Sequence, residues 1–247
     1  NFKFICLFLP AGNSAKRMLT VLVIFLSGFN AFTQTARVDS LGKLLAVEKT
    51  DSNRVRLMWQ LARDMGAYDP DSALVLAQKG LYLARGIGYT EGESRSLGVL
   101  ANTFLKIGNY PRALELNIEK LKIEEKRNNP RNLASVLMNT GVVYALEEEY
   151  ARALEFYRRS DSVIQLHNLE DIRYNAALNT GDAWDRLNQN DSAFKYFSRS
   201  LEIARTQEDG DYIGTSMTGL GHSYRKMGKY PESQMHYQEG IQYLQAA

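Results

Sequence analysis

From Asp51 onward, apolar residues recur at helical spacing in long stretches separated by short polar turns. The pattern is clearest over 139–157, NTGVVYALEEEYARALEFY. There Gly141 is followed by Tyr144, then Ala153, then Tyr157. The same set returns at Gly181, Trp184, Ala193 and Phe197, and again at Gly221, Tyr224, Ser233 and Tyr237. Ala101, Phe104 and Ala113 begin it earlier, so the first small residue recurs every 40 residues. Self-similarity at a fixed period marks a repeat architecture. Each unit predicts two antiparallel helices joined by a short turn, in the third unit about Asn132–Glu147 and Tyr150–His167. Glycine inside a helix costs roughly 1 kcal/mol against alanine. Three glycines at one repeat position therefore imply a packing need: Gly141 and Ala153 let two backbones approach, and Tyr144 and Tyr157 fill the space beside them.

The turns carry their own signals. Asn109-Tyr110-Pro111 and Lys229-Tyr230-Pro231 put proline in the first turn of a second helix, where its missing N–H does no harm. Gly108 and Gly228 stand where the first helix should stop, suited to a left-handed cap. These motifs together resemble the tetratricopeptide repeat family, whose units carry a small residue, an aromatic, an alanine, a large residue and a second small residue in this order. That last position holds Gly80, Ser160, Ser200 and Gly240, with Lys120 as the exception. The resemblance implies an all-α fold, an α-solenoid of about five antiparallel helix hairpins. It also implies six more residues per unit than the family's usual repeat of about 34, most simply accommodated by longer helices.

The units are expected at about 51–90, 91–130, 131–170, 171–210 and 211–247. The first follows the pattern loosely through Leu61, Met65, Tyr68 and Ala73, with its turn one residue out of register. Residues 34–50 predict a lead-in helix, with Leu41, Leu44, Leu45 and Val47 on its apolar side, covering the first hairpin. The chain ends inside a second helix with no polar cap. Solenoids need such caps for solubility, so the sequence is expected to continue beyond Ala247.

Residues 1–33 read as a secretory signal peptide. Lys16-Arg17-Met18 precedes the apolar run Leu19–Gly28, and small residues follow. Cleavage is expected after Thr33 or Ala36, and Met18 is an alternative start. An uncleaved anchor is the opposing reading. Cys6, the single cysteine, lies in this segment, so the mature chain forms no disulfide. The expected location is exported, periplasmic or cell envelope. The whole sequence carries +2; residues 1–33 hold three basic residues and no acids, so the remainder carries −1. That balance implies no basic face for nucleic acid.

The sequence shows no phosphate loop, nucleophile elbow or HExxH, and we expect no catalytic residue, cofactor or metal. His222 and His236 lie on the two helices of the last unit and could approach each other. The acid runs Glu147-Glu148-Glu149 and Glu124-Glu125 read as solvated helix ends. What remains is a concave groove. The family's groove-facing positions fall on Arg95, Asn102 and Lys106 in the second unit, and on Ser135, Met138, Val142 and Leu146 in the third. They fall on Asn175, Asp182, Asp185 and Arg186 in the fourth, and on His222, Arg225 and Lys226 in the fifth. Such a groove is basic at both ends and apolar in the middle with acids alongside, suited to an extended peptide of mixed charge. Some family members clamp a peptide's C-terminal carboxylate with two asparagines and three cations. Asn102 and Asn139 match the asparagines, but Gly98, Asn175 and Asn179 stand at the cation positions, so that chemistry is not expected. Asn139 and Asn179 are expected instead to hydrogen-bond between helices.

The resemblance, the 40-residue period and the export signal point to a protein-interaction or sensor module with a protein or peptide partner. They are similar to the extracytoplasmic repeat regions of Bacteroidetes-type sensor histidine kinases and regulators. The alternatives are the input region of such a membrane kinase, whose output domain would lie beyond Ala247, and a stand-alone envelope scaffold.

Overall fold

The computed structural model describes residues 37–246. The signal-peptide segment 1–33 lies outside these residues. Residues 37–47 are helical (α1). Ten helices follow: α2 Asp51–Met65, α3 Pro70–Gly86, α4 Thr90–Lys106, α5 Tyr110–Arg127, α6 Pro130–Leu146, α7 Tyr150–Leu166, α8 Glu170–Arg186, α9 Asn190–Thr206, α10 Gly210–Lys226 and α11 Tyr230–Ala246. They form five antiparallel hairpins, α2/α3 through α10/α11, each packed on the next, in an all-α solenoid. Inner helices α2 and α4, α6 and α8, and α8 and α10 touch directly. The outer helices α3, α5, α7, α9 and α11 make no comparable contact with one another among the described residues. The inner layer is therefore the tighter one, and its free side is the concave face.

The extra residues of the long repeat lie in the helices. Most helices are 17 residues long, and most links are three residues, within hairpins and between them alike. Each helix thus advances the chain by twenty positions. At the typical link the N–H two residues past the helix-capping position bonds back five residues, as Asn109 N does to Phe104 O at 2.9 Å and Glu149 N to Tyr144 O at 2.9 Å. This closure requires a left-handed residue. Gly88, Gly108 and Gly228 supply it with φ of 67°, 79° and 76°, but Asn128, Glu148, Asn168, Asn188 and Glu208 hold the same conformation. The first turn, at 66–69, has no such residue, as its irregular sequence predicts. Asp69, Asn109, Asn129 and Asp209 cap the following helices by accepting from the backbone N–H of the third helical residue.

The small-residue columns meet where expected. Ala73, Ala113, Ala153 and Ala193 are all fully buried. A Cβ placed on Gly141 would stand 2.5 Å from the Tyr157 ring and 3.1 Å from the Ala153 carbonyl. On Gly181 it would stand 2.9 Å from Phe197, and on Gly221 2.8 Å from Tyr237. Phe197 also lies against Gly219 of the next inner helix, so it is wedged between two glycine-bearing backbones. Tyr144 stacks on Phe156 with ring centroids 5.3 Å apart.

Several expectations differ. Asn139 and Asn179 form no interhelical side-chain hydrogen bond among the described residues; the neighbouring Thr140 and Thr180 hydroxyls bond back within their own helices to Val136 O and Ala176 O, each at 2.7 Å. On α1, Leu41 and Leu45 are half-buried while Leu44 and Val47 are exposed, so only part of its apolar side is used. Arg37 ties α1 to Asp64 of α2 at 2.8 Å. Glu124 is not at a solvated helix end: it is 1% exposed.

Candidate binding groove

The concave face is built by one side of α4, α6, α8 and α10. Asn102 and Lys106 are exposed there, and with Arg63 of α2 they line a cleft of about 150 Å³ between α2 and α4. Arg95 lies over Trp59 of α2 at 5.7 Å and reaches Glu91 at 3.6 Å, so its charge is already engaged. Ser135 donates its hydroxyl proton back to Arg131 O at 2.8 Å, within its own helix. Met138 is only 8% exposed and belongs to the core, where it packs with Ala134, Ala153 and Tyr157.

Val142, Leu146, Asp182 and Arg186 come together. They line a cleft of about 310 Å³ between α6 and α8 with Ala145, Tyr150 and Asn179. Leu146 is 46% exposed, an apolar side chain standing open in a wall that carries charge. Arg186 reaches Asp182 at 3.7 Å, and both are exposed. The buried Tyr157 closes this cleft from behind; burial pushes its hydroxyl well above the usual tyrosine range, and the Asp182 charge adds to the shift. Asn175 is exposed on the same helix.

At the far end, Lys226 is not a free cation. Its Nζ lies 2.9 Å from Asp185 Oδ2 and donates to Asp185 O at 2.6 Å and Asn188 Oδ1 at 3.4 Å. Two residues expected to face a partner thus neutralise each other across α8 and α10. Arg225 and His222 remain exposed. His222 meets Tyr237 edge-on at 5.4 Å, and His236 stacks on Tyr224 at 5.1 Å, so each imidazole is an aromatic packing partner. Among the described residues no three His, Cys, Asp or Glu side chains gather into a metal-sized group, and no helix is long and apolar enough to cross a membrane.

The residues that sequence reasoning passed over lie in the second hairpin. The column Ala84, Ile164 and Ala204 is fully buried, yet its α5 member is Glu124. Glu124 accepts from Ser94 Oγ, from Arg127 at 2.9 Å and from Asn132 at 3.5 Å. The signal was available: a carboxylate interrupts a forty-residue apolar column. Lys120, the exception in the small-residue column of Gly80, Ser160, Ser200 and Gly240, is the second charged residue turned inward from α5. A Cβ placed on Gly98 of α4 would stand 2.8 Å from Lys120 Nζ, so the lysine fills the space that a side chain at 98 would occupy.

Comparison with known proteins agrees with the architecture. Residues 183–246 match the Tetratricopeptide repeat family. Tetratricopeptide repeat protein 29 of Trypanosoma brucei brucei is 22% identical over 171 residues, covering 67% of this chain; the chain spans only 36% of that protein's length. Among solved structures, BtubC from P. vanneervenii superposes with a TM-score of 0.74 at 17% identity, covering 87% of this chain and 89% of its own. The tetratricopeptide-repeat-sensor STAND ATPase of Pyrococcus horikoshii gives 0.78 at 14% identity, over 87% of this chain and 34% of that one. A Rap protein complexed with competence and sporulation factor gives 0.66 at 12% identity, over 89% and 73%. At these identities the likeness is one of fold.

Proposed function

We propose that this chain is a protein-interaction module that holds an extended segment of a protein partner in its concave groove. The observation that carries the reading is the α6–α8 cleft, where Val142 and the exposed Leu146 meet Asp182 and Arg186 on a helical wall. An apolar anchor site rimmed by charge is the composition of a recognition surface. The Rap structure, with the same architecture, is of a complex with competence and sporulation factor, which supports a protein or peptide as the kind of partner. The basic-then-apolar start at Lys16–Gly28 supports placing this module outside the cytoplasm. The kinase-input reading rests on the sequence resemblance alone and adds nothing to the groove.

The test is random-peptide display panned against the full chain, with selected peptides then measured by fluorescence anisotropy. Leu146→Glu removes the apolar anchor. Leu166→Glu, on the outer helix α7 at 76% exposure, makes the same chemical change away from the groove. A buried leucine contact is worth about 1.5–3 kcal/mol, so Leu146→Glu should weaken binding roughly tenfold or more. Leu166→Glu should leave it unchanged. Equal affinities of the two variants would refute the groove, as would panning that enriches nothing.

A further inference from the structure

Positions 22 residues apart on the two helices of each hairpin are equivalent from one repeat to the next. The pairs are Met58 with Gly80, Gly98 with Lys120, Met138 with Ser160, Leu178 with Ser200, and Thr218 with Gly240. Contact is direct in the first, second and last: the Cβ of Met58 and the hydroxyl of Thr218 each lie 3.3 Å from a Cβ placed on the opposing glycine. In four hairpins the inner helix supplies the larger side chain. In the second this is reversed: the inner residue is glycine and the outer helix sends in a lysine. Gly98 shares the concave side of α4 with Arg95 and Asn102, at i−3 and i+4. Lys120 therefore brings its ammonium across from the outer helix to the inner helix, beside Gly98. It does so where that layer is most open, since among the described residues α4 and α6 approach each other least of the successive inner pairs.

The charges around it do not balance. Glu124 is taken by Arg127, which also reaches Glu91 at 3.6 Å, and Glu91 is shared with Arg95. Two carboxylates thus face three cations, and Lys120 makes no ion pair among the described residues. A lysine placed only to neutralise Glu124 would turn to it, one helical turn along α5. Instead Glu124 Oε2 has no hydrogen-bond partner among the described residues, and Lys120 Nζ sits at Gly98. Burial pushes the Lys120 ammonium below the usual lysine range; Glu124 partly offsets this, while Arg95 and Arg127 deepen it. An anion arriving from the groove would supply the missing counter-charge.

Resting on the groove reading above, we infer that Lys120 is the anion anchor of this groove, binding a side-chain carboxylate of an acidic, extended partner segment at the α4–α6 seam. A side-chain carboxylate is favoured over a chain terminus by position. Clefts lie on both sides of the seam, between α2 and α4 and between α6 and α8, so a bound segment continues past Lys120 in either direction. Asn175 and Asn179 add no further cation for a terminus.

The probe is a fluorescein-labelled dodecapeptide of alternating Glu and Leu with an amidated C-terminus, titrated into the full chain by anisotropy. Its Gln–Leu counterpart is measured both amidated and with a free C-terminal carboxylate. Wild type should bind the Glu–Leu peptide at least tenfold more tightly than either Gln–Leu peptide. Lys120→Met should abolish that preference while the circular dichroism melt shows an intact fold. Gly98→Lys combined with Lys120→Ser returns the large residue to the inner helix, as in the other hairpins, and should restore the preference. Unchanged binding by Lys120→Met would overturn the anchor; if Leu146→Glu still abolishes that binding, the groove itself survives. Tight binding of the free-carboxylate Gln–Leu peptide would overturn the side-chain source. Failure of wild type to bind any of the three would overturn the proposal.

Discussion

Replacing Gly141 by alanine tests the crossing on which every hairpin depends. On helix propensity alone alanine should stabilise α6 by about 1 kcal/mol. The new Cβ, however, would lie 2.5 and 2.6 Å from two carbons of the Tyr157 ring and 3.1 Å from the Ala153 carbonyl. Tyr157 is 2% exposed and cannot swing into solvent, and the carbonyl belongs to the α7 backbone. Forcing an extra carbon into such a core typically costs about 1–3 kcal/mol. Two simultaneous obstacles put the cost at the upper end of that range. The expected net loss is about 1–2 kcal/mol, or a fall of roughly 0.5–1 M in the urea midpoint at a slope of about 2 kcal/mol/M. Gly86→Ala is the control, because nothing lies within 4 Å of a Cβ there; it should be neutral or stabilising by up to about 1 kcal/mol. Urea unfolding followed by circular dichroism at 222 nm reads both. Adding Tyr157→Leu should make Gly141→Ala less costly, and a double-mutant cycle gives the coupling. A Gly141→Ala midpoint at or above wild type would refute the close-approach argument. So would additivity of the two substitutions.

Two further outcomes follow from other parts of the fold. Glu148 and Glu208 hold φ of 61° and 54° at turns where Gly88, Gly108 and Gly228 stand elsewhere, so Glu148→Gly and Glu208→Gly should each stabilise by about 1 kcal/mol in the same urea assay; loss of stability would show that these side chains contribute more than their backbone strain. The Lys120 ammonium has a lowered folded pKa, so between that value and the unfolded value near 10.4 the unfolded chain binds more protons. Its penalty is therefore full at lower pH and is lost as pH rises through this window, and the melting-temperature advantage of Lys120→Met over wild type should shrink from pH 7.5 to 10.5. A constant advantage would contradict burial as the cause.

What could be read from the chain was whatever the period of forty repeats. Gly141, Gly181 and Gly221 announced the helix crossings because glycine is costly inside a helix unless something presses on it. Gly108 and Gly228 announced the left-handed turns for the same kind of reason. Glu148 and Glu208 do the same work invisibly: the backbone bonds that close each turn impose the conformation, and nothing in a glutamate advertises it. Lys120 and Glu124 were obscured by residue type, since charge suggests surface while their columns suggest interior. The Lys226–Asp185 pair depends on how far α10 is displaced along α8, which packing decides and local sequence does not. Asn139 and Asn179 show the converse: a polar side chain in a repeated motif suggests an interhelical hydrogen bond, and among the described residues neither makes one.

The uniform twenty-residue advance has a topological result. Because the links inside hairpins and between them are alike, spacing does not record which neighbour a helix pairs with; side-chain volume alone does. An insertion of forty residues would lengthen the rod and keep every later segment on its own side. An insertion of twenty would exchange the sides for everything downstream, turning glycine-bearing faces outward and aromatic wedges inward. Growth of this architecture by duplication is therefore confined to even numbers of helices.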